Sequence, residues 1–234
     1  IVKHPEFAHA FGNAFQRYVG EVLEVCLSNG SFAIYPECEY HLGKNRKNTV
    51  DWIVSDCSGN MFFECKTKRM RSDSKMALAD TSPLLRDLLK ISDFVVQIYK
   101  SIQDAKDGHY PNWAPNDKPV YPLVVLLDEF YLFDAGLAET LNARISEKLL
   151  ERNINPSILI SSPYTIVSCA DLEILMQVIA ERGVQRVMDA KKEGEKSKWN
   201  MGVFLSNEFK SELDRTGELF PTGIDEIHPV LAQQ

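Results

Sequence analysis

Two short apolar runs on either side of a tight turn constrain the fold of this chain more than any other feature. The stretch from Thr49 to Arg69 reads TVDWIVSDCSGNMFFECKTKR. Its composition and its turn residues predict one strand over Thr49–Ser55 and another over Met61–Lys68, with Asp56–Asn60 as the connecting turn. The sequence therefore predicts an antiparallel hairpin.

The two faces of this hairpin differ in their chemistry. Successive side chains of a strand point to opposite faces. One face is apolar and is expected to be buried; it carries Val50, Trp52, Val54, Met61, Phe63 and Cys65. The other face carries Asp51, Glu64 and Lys66, so two carboxylates and one ammonium group are expected to converge there.

The convergence requires a particular register between the two strands. Residues directly opposite each other in a sheet share a face, so Asp51 has to oppose one of the two charged residues of the second strand. A register that pairs Asp51 with Lys66 also pairs Asp56 with Met61. It leaves a four-residue loop, Cys57–Asn60, which is an acceptable hairpin connection.

Two carboxylates beside a lysine suit the hydrolysis of phosphodiester bonds. Carboxylate oxygens are preferred ligands of Mg²⁺, and Mn²⁺ is expected to substitute for it. The ion activates water and polarises the phosphoryl group, while a lysine ammonium offsets developing negative charge. The alternative is a chance pattern, since a glutamate and a lysine on one strand face often form only a solvated surface.

Other elements are placed around the hairpin by hydrophobic periodicity and by turn residues. The predicted elements are a helix over Phe11–Leu27, a strand over Ser31–Tyr40, a polar basic loop over His41–Asn48, a helix that begins at Ser82-Pro83, and a buried strand over Leu123–Leu127. The resulting order is α-β-β-β-α-β. It predicts an α/β fold whose core spans residues 1–134.

Residues 135–234 are predicted to form an α/β extension that packs on the core and whose role the sequence does not reveal. The predicted elements are a helix over Leu137–Arg152, a strand over Ser157–Ser161 and a helix over Asp171–Ala190. Ser168 is expected to cap the second helix, because Asp171 follows it at capping-box spacing.

At these residues the chain resembles the PD-(D/E)XK nuclease superfamily, in which a first acid on one strand is followed by E-x-K on the next. Asp51 and Glu64-Cys65-Lys66 match that pattern. The stretch Gly12–Val19 resembles the first core helix of the family, often written G-x-x-F-E-x-x-V, but has Gln16 where a metal-binding glutamate is usual. A glutamine can still bind metal through its amide oxygen, although it carries no charge.

The resemblance implies a restriction-endonuclease-like core, with a mixed sheet flanked by helices. It implies that Asp51, Glu64 and the backbone carbonyl of Cys65 bind the metal, and that Lys66 and Gln16 complete the catalytic group. Some relatives also place a glutamine near the site on the helix after E-x-K, where this chain has Gln97.

The expected function is that of a metal-dependent endonuclease acting on nucleic acid, with DNA as the substrate and a defence role as the setting. Phosphate contacts are expected from Lys44, Arg46, Lys47, Lys68, Arg69 and Arg71, which lie on either side of the hairpin. The alternative is a catalytically inactive, nuclease-like binding module in a larger assembly. Gln16 and the net charge of −7 favour that alternative, and the complete Asp51, Glu64 and Lys66 set opposes it.

Location and partners follow from weaker features. No secretory signal and no run long and apolar enough to span a bilayer is recognisable, so we expect a cytoplasmic protein without a membrane partner. The five cysteines form no C-x-x-C pair and are expected to be reduced. A homodimer, or a further domain or subunit, is compatible with the sequence.

Overall fold

A five-stranded mixed sheet with helices on both faces forms the centre of the computed structural model, which describes residues 5–67, 82–129 and 135–220. The strands are β1 (Ala33–Pro36), β4 (Trp52–Ser55), β5 (Asn60–Lys66), β6 (Val120–Leu126) and β7 (Thr165–Ser168), in that spatial order. The pairs β1–β4 and β4–β5 are antiparallel, and the pairs β5–β6 and β6–β7 are parallel. The predicted α/β class, with a mixed sheet flanked by helices, is confirmed.

Helices account for most of the remaining described chain. They are α1 (Pro5–Leu27), α2 (Ser82–Lys106), α3 (Ala135–Glu151), α4 (Ile158–Ser161), α5 (Cys169–Arg182), α6 (Val184–Lys192), α7 (Met201–Glu208) and α8 (Lys210–Leu213), with a 3₁₀ helix over Gly194–Lys198. α1 and α5 to α7 contribute to the core on one face of the sheet, and α2 and α3 to the core on the other.

Both faces of the hairpin strands are therefore buried. Val54, Met61 and Phe63 belong to the core under α1. Val50, predicted on that side too, belongs instead to the core under α2. The reason is that the chain bends at Asp51 and β4 begins only at Trp52, so the strict alternation predicted from Thr49 onwards does not hold at the start of the strand.

Of the two registers that the sequence allows, the hairpin forms the one that continues to Asp51 opposite Glu64. Val54 pairs with Met61 and Ser55 with Asn60, so the alternative register, with Asp56 opposite Met61, is not formed. Asp56 leaves the strand because its Oδ1 accepts hydrogen bonds from the N–H groups of Ser58 and Gly59, each at 2.7 Å. A side chain that caps its own turn in this way favours the turn over strand pairing.

The basic stretch predicted as a loop over His41–Asn48 is a second, two-stranded hairpin. β2 (Glu39–Leu42) pairs with β3 (Asn45–Asn48), and Gly43 occupies the turn with a φ of 61°. The strand predicted over Ser31–Tyr40 is accordingly two strands. β1 belongs to the central sheet and β2 to this basic hairpin.

The C-terminal part corrects two further predictions. Residues 158–161 form the short helix α4 rather than a strand, because Asn155 Oδ1 accepts the N–H of Ser157 and starts a helical turn. The fifth strand of the sheet is β7, which the sequence analysis missed. The predicted long helix is interrupted at Gly183, whose φ is 80° and where glycine is favoured.

Ser168 caps α5 as predicted, and its Oγ accepts the N–H of Asp171 at 3.1 Å. Because β7 pairs with β6 and α5 packs against α1, the C-terminal part contributes to the same sheet and core as the first half of the chain.

Candidate active site

Asp51 lies at the bend that precedes β4, next to the end of β5. Its Oδ2 accepts the backbone N–H of Cys65 at 2.6 Å, and its carbonyl oxygen accepts the N–H of Glu37 at 2.9 Å. The carboxylate is therefore bound to the neighbouring strand on one side, while its main chain is bound to the segment between β1 and β2 on the other.

Glu64 lies within β5, between β4 and β6, and is only 2% exposed. Its Oε1 receives a hydrogen bond from Gln97 Nε2 on α2 at 2.7 Å and forms an ion pair with Lys66 Nζ. A nearly buried carboxylate requires such partners, because an isolated charge would be costly at this depth.

Lys66 shares the sheet face with Glu64 and completes the cluster. Its ammonium also lies 5.5 Å from the ring centroid of Phe94, as in a cation–π contact. Burial acts to lower the pKa of Lys66, but the charges of Glu64 and Asp51 outweigh it and raise that pKa. The lysine is thus held in its charged form.

The two carboxylates oppose each other electrostatically. Burial, followed by repulsion from Glu64, raises the pKa of Asp51 to about 7, although the N–H of Cys65 and the charge of Lys66 act against the rise. Burial also raises the pKa of Glu64, against the opposing effect of Lys66. One ammonium does not compensate two carboxylates, so the cluster has room for further positive charge.

Gln16 reaches the same region from α1. Its carbonyl oxygen accepts the indole N–H of Trp52 at 2.9 Å, which fixes α1 beside the residue that follows Asp51. The close approach depends on Gly20, because a Cβ at that position would lie 2.2 Å from Trp52 Cζ2. The side-chain amide of Gln16 donates from Nε2 to Glu37 Oε2 at 2.9 Å.

Glu37 is the residue of this region that the sequence analysis missed. Its charge acts on both Asp51 and Glu64 and contributes to the raised pKa of each. No motif points to it, because it lies in the irregular segment between β1 and β2. The sequence signal for Glu37 is weak: it is an acidic residue that directly follows the end of β1 at Pro36.

Cys65 lies between Glu64 and Lys66, and its side chain packs against the core under α1. Asp51 interacts with both the main-chain N–H of Cys65 and its thiol. Gln97, which the resemblance placed near the site, is on α2 with its amide bonded to Glu64.

The predicted phosphate-binding residues are only partly described. Lys44 is exposed in the turn of the β2–β3 hairpin, and Arg46 on β3 pairs with Glu39. Lys47 forms an ion pair with Asp104 on α2, with 2.8 Å between Nζ and Oδ2. The other three predicted contacts, Lys68, Arg69 and Arg71, lie outside the described residues.

A divalent cation is compatible with the donors that are present. Asp51 and Glu64 offer hard carboxylate oxygens, which suit Mg²⁺, and each uses one oxygen in the hydrogen bonds described above. Within residues 5–67, 82–129 and 135–220, no three His, Cys, Asp or Glu side chains are arranged to hold one ion together. An ion at this point would thus rest on two carboxylates, with main-chain, amide or water oxygens completing its shell.

Comparisons with known proteins give a remote likeness to a solved structure. No protein-family model and no curated protein matches the sequence. Among solved structures the chain is similar to the small subunit of the heterodimeric restriction endonuclease R.BspD6I, with 11% sequence identity and a TM-score of 0.37, over 86% of this chain and 97% of that chain. None of the helices in the described part of the chain combines the length and hydropathy of a membrane span.

Proposed function

We propose that this protein is a metal-dependent endonuclease that hydrolyses phosphodiester bonds of nucleic acid, with DNA as its substrate and a restriction-endonuclease-like core as its fold. One observation carries the proposal. Asp51, Glu64 and Lys66 interact at the end of one β-hairpin, where the N–H of Cys65 binds Asp51 and the ammonium of Lys66 binds Glu64. Two carboxylates and an ammonium group suit metal-assisted hydrolysis of a phosphodiester bond.

In the proposed mechanism, Asp51, Glu64 and the carbonyl of Cys65 would hold Mg²⁺, for which Mn²⁺ could substitute. The ion would supply Lewis-acid activation of the phosphate and of a water. Lys66 orients the attacking water and offsets the negative charge that develops on the phosphate. Gln97 keeps Glu64 in position through its 2.7 Å hydrogen bond.

The position of Glu64 and Lys66 in the fold supports the same proposal. β5, which carries Glu64 and Lys66, is the middle strand of the sheet, with an antiparallel neighbour on one side and a parallel neighbour on the other. α1 and α2 pack on opposite faces of this strand. Gln97 of α2 bonds to Glu64, and Gln16 of α1 bonds to Glu37. Rigid elements of this kind hold catalytic groups more accurately than loops do.

For substrate binding we propose phosphate contacts from the basic residues beside the hairpin. Lys44 is the best placed of those described, because it is exposed at the tip of the β2–β3 hairpin. Arg46 and Lys47 already have acidic partners in Glu39 and Asp104, so their contribution depends on exchanging those partners for phosphate. Lys68, Arg69 and Arg71 are further proposed phosphate contacts.

The proposal is tested by metal binding and cleavage measured on the same preparations. Mn²⁺ binding is measured by calorimetry, and cleavage of circular double-stranded DNA is measured in Mg²⁺ and in Mn²⁺. Asp51→Asn and Glu64→Gln should each lower metal affinity at least tenfold and abolish cleavage. Asp93→Asn is the control, because Asp93 is an exposed acid on α2 that pairs with Lys148.

Two results would count against the nuclease. If the wild type and Asp51→Asn bind Mn²⁺ with equal affinity, Asp51 is not a metal ligand and the proposed metal site is wrong. DNA binding without cleavage by the wild type, over a range of DNA substrates and in both metals, would instead indicate the inactive binding module.

A further inference from the structure

Gln16 occupies a position where the resemblance implies a metal-binding glutamate. The side chain at position 16 therefore brings no negative charge to the proposed metal centre. A carboxylate is nevertheless present there, since Glu37 Oε2 lies 2.9 Å from Gln16 Nε2. It comes from the segment between β1 and β2 instead of from α1.

Glu37 is held in place by its main chain as well as by its side chain. Its N–H donates to the carbonyl oxygen of Asp51 at 2.9 Å, and its side chain is half-buried. Gln16 is held by the bond from the indole of Trp52 to its carbonyl oxygen. Both partners of the amide–carboxylate bond are therefore anchored through residues that adjoin Asp51.

The direction of this hydrogen bond determines what Gln16 can do. A carboxylate only accepts hydrogen bonds, so the amide has to turn its NH₂ end towards Glu37. That choice leaves the amide oxygen as the free end, and an oxygen is what a hard cation binds. Without Glu37 the amide could adopt either orientation, and one of them would present N–H donors to the ion.

The charge of Glu37 also acts on the two acids of the proposed metal centre. It contributes to the raised pKa values of Asp51 and Glu64, which shows that it lies within electrostatic range of both. By contrast, Glu21 is exposed on α1 and is not among the main influences on the pKa of either acid.

We propose that Glu37 is a positioning residue of the metal centre: it orients the Gln16 amide with its oxygen towards the ion and supplies the negative charge that position 16 lacks. This inference rests on the proposed function. Glu37 acts through Gln16 and through its charge, and it does not take part in the shared coordination by Asp51 and Glu64.

A swap of the two side-chain types tests the proposal. Glu37→Gln should weaken Mn²⁺ binding to the metal-free protein about tenfold, because the charge is lost and the amide of Gln16 is no longer oriented. The double variant Gln16→Glu/Glu37→Gln restores a carboxylate, now on α1, and keeps an amide–carboxylate pair. It should recover Mn²⁺ affinity to within about threefold of the wild type.

The remaining variants separate this role from a structural one. Gln16→Glu alone places two carboxylates against each other, so its melting temperature should fall in EDTA and recover with Mn²⁺. Glu21→Gln, which removes the same charge from an exposed position on α1, should bind Mn²⁺ as the wild type does. Circular dichroism and melting curves verify that every variant is folded.

The possible outcomes distinguish this proposal from the proposed function. If Asp51→Asn abolishes Mn²⁺ binding while Glu37→Gln leaves it unchanged, the metal centre stands and the role of Glu37 is wrong. If the folded double variant remains as weak as Glu37→Gln, the role of Glu37 is likewise wrong. If the wild type binds no Mn²⁺ at all, the proposed function itself fails.

Discussion

The Asp51 carboxylate accepts the main-chain N–H of Cys65 across the hairpin, with 2.6 Å between Oδ2 and N. This bond positions the acid at the level of Glu64, although Asp51 precedes the strand that pairs with β5. It also brings two carboxylates into a partly buried place, where burial and mutual repulsion raise the pKa of Asp51 to about 7. We therefore expect the pH to control how readily the proposed metal centre accepts a cation.

We predict that Mn²⁺ affinity rises with pH and levels off above about pH 7. Below that pH, Asp51 has to release a proton before it can bind the ion, so affinity should change by up to about tenfold for each pH unit. Calorimetry at pH 5.5, 6.5, 7.5 and 8.5 measures this dependence. An affinity that is the same at all four values would show that no group with such a pKa lies at the metal centre.

The same acid should affect stability in the absence of metal. Its pKa is higher in the folded protein than the ordinary value of 3.8, so the folded state holds the proton more tightly than the unfolded state. The resulting stabilisation is complete below about pH 4 and is lost as the pH rises through about 7.

Asp51→Asn lacks this dependence, while its amide oxygen can still accept the N–H of Cys65. Relative to the wild type in EDTA, the variant should therefore gain stability as the pH is raised from 4 to 8. Urea unfolding at pH 4, 6 and 8 gives the two free energies of unfolding. A difference between them that does not vary with pH would contradict the raised pKa.

Gly20 should be required for the contact between α1 and Trp52. A Cβ at position 20 would lie 2.2 Å from Trp52 Cζ2, so Gly20→Ala should cost about 1–3 kcal/mol through overpacking. Gly12→Ala is the matched control, because a Cβ there would meet nothing within 4 Å and alanine favours the helix by about 0.5–1 kcal/mol. Thermal and urea unfolding should thus show opposite signs for two identical substitutions in one helix.

Much of the fold was predictable because hydrophobic patterns and turn residues indicated it. The hairpin, α1 and the capping of α5 by Ser168 all depend on contacts between residues near in sequence. Which of the two allowed registers forms was not predictable, because Asp56 accepts hydrogen bonds from its own turn and also from the N–H of Val184 at 2.9 Å. That last contact joins residues 128 positions apart, which no local pattern reveals.

The site was predictable to a similar extent. Alternation along a strand is enough to place Glu64 and Lys66 on one face, and their ion pair follows from that placement. Glu37 could not be found in this way. It reaches the site only because β1 pairs with β4 and the chain then turns beside Asp51, so its role depends on tertiary structure.

Gln97 should contribute more to stability than Gln103, the other glutamine of α2. Its Nε2 donates to the nearly buried Glu64 at 2.7 Å, so Gln97→Ala removes a partner from a buried carboxylate and should cost about 1 kcal/mol of stability. Gln103→Ala removes a comparable hydrogen bond, to Asp107, on the exposed surface of the same helix, and should cost far less. Urea unfolding of both variants in EDTA compares them, and equal losses would indicate that the bond to Glu64 contributes nothing special.

The two lysines of the β2–β3 hairpin should differ in what their removal changes. Lys44 is exposed, so Lys44→Ala should leave stability unchanged. If the lysine contacts one DNA phosphate, the variant should also reduce the slope of log affinity against log salt by about 0.9.

Lys47 pairs with Asp104. Burial acts to raise the pKa of Asp104, but hydrogen bonds from Lys47 and Tyr40 and the charge of Lys47 lower it overall. Lys47→Ala should therefore lower stability, because it leaves that partly buried carboxylate without its cation. Fluorescence titration of duplex DNA at several salt concentrations, in Ca²⁺ to prevent cleavage, measures the slopes, and urea unfolding measures stability. An unchanged slope for Lys44→Ala would show that the tip of this hairpin does not contact DNA.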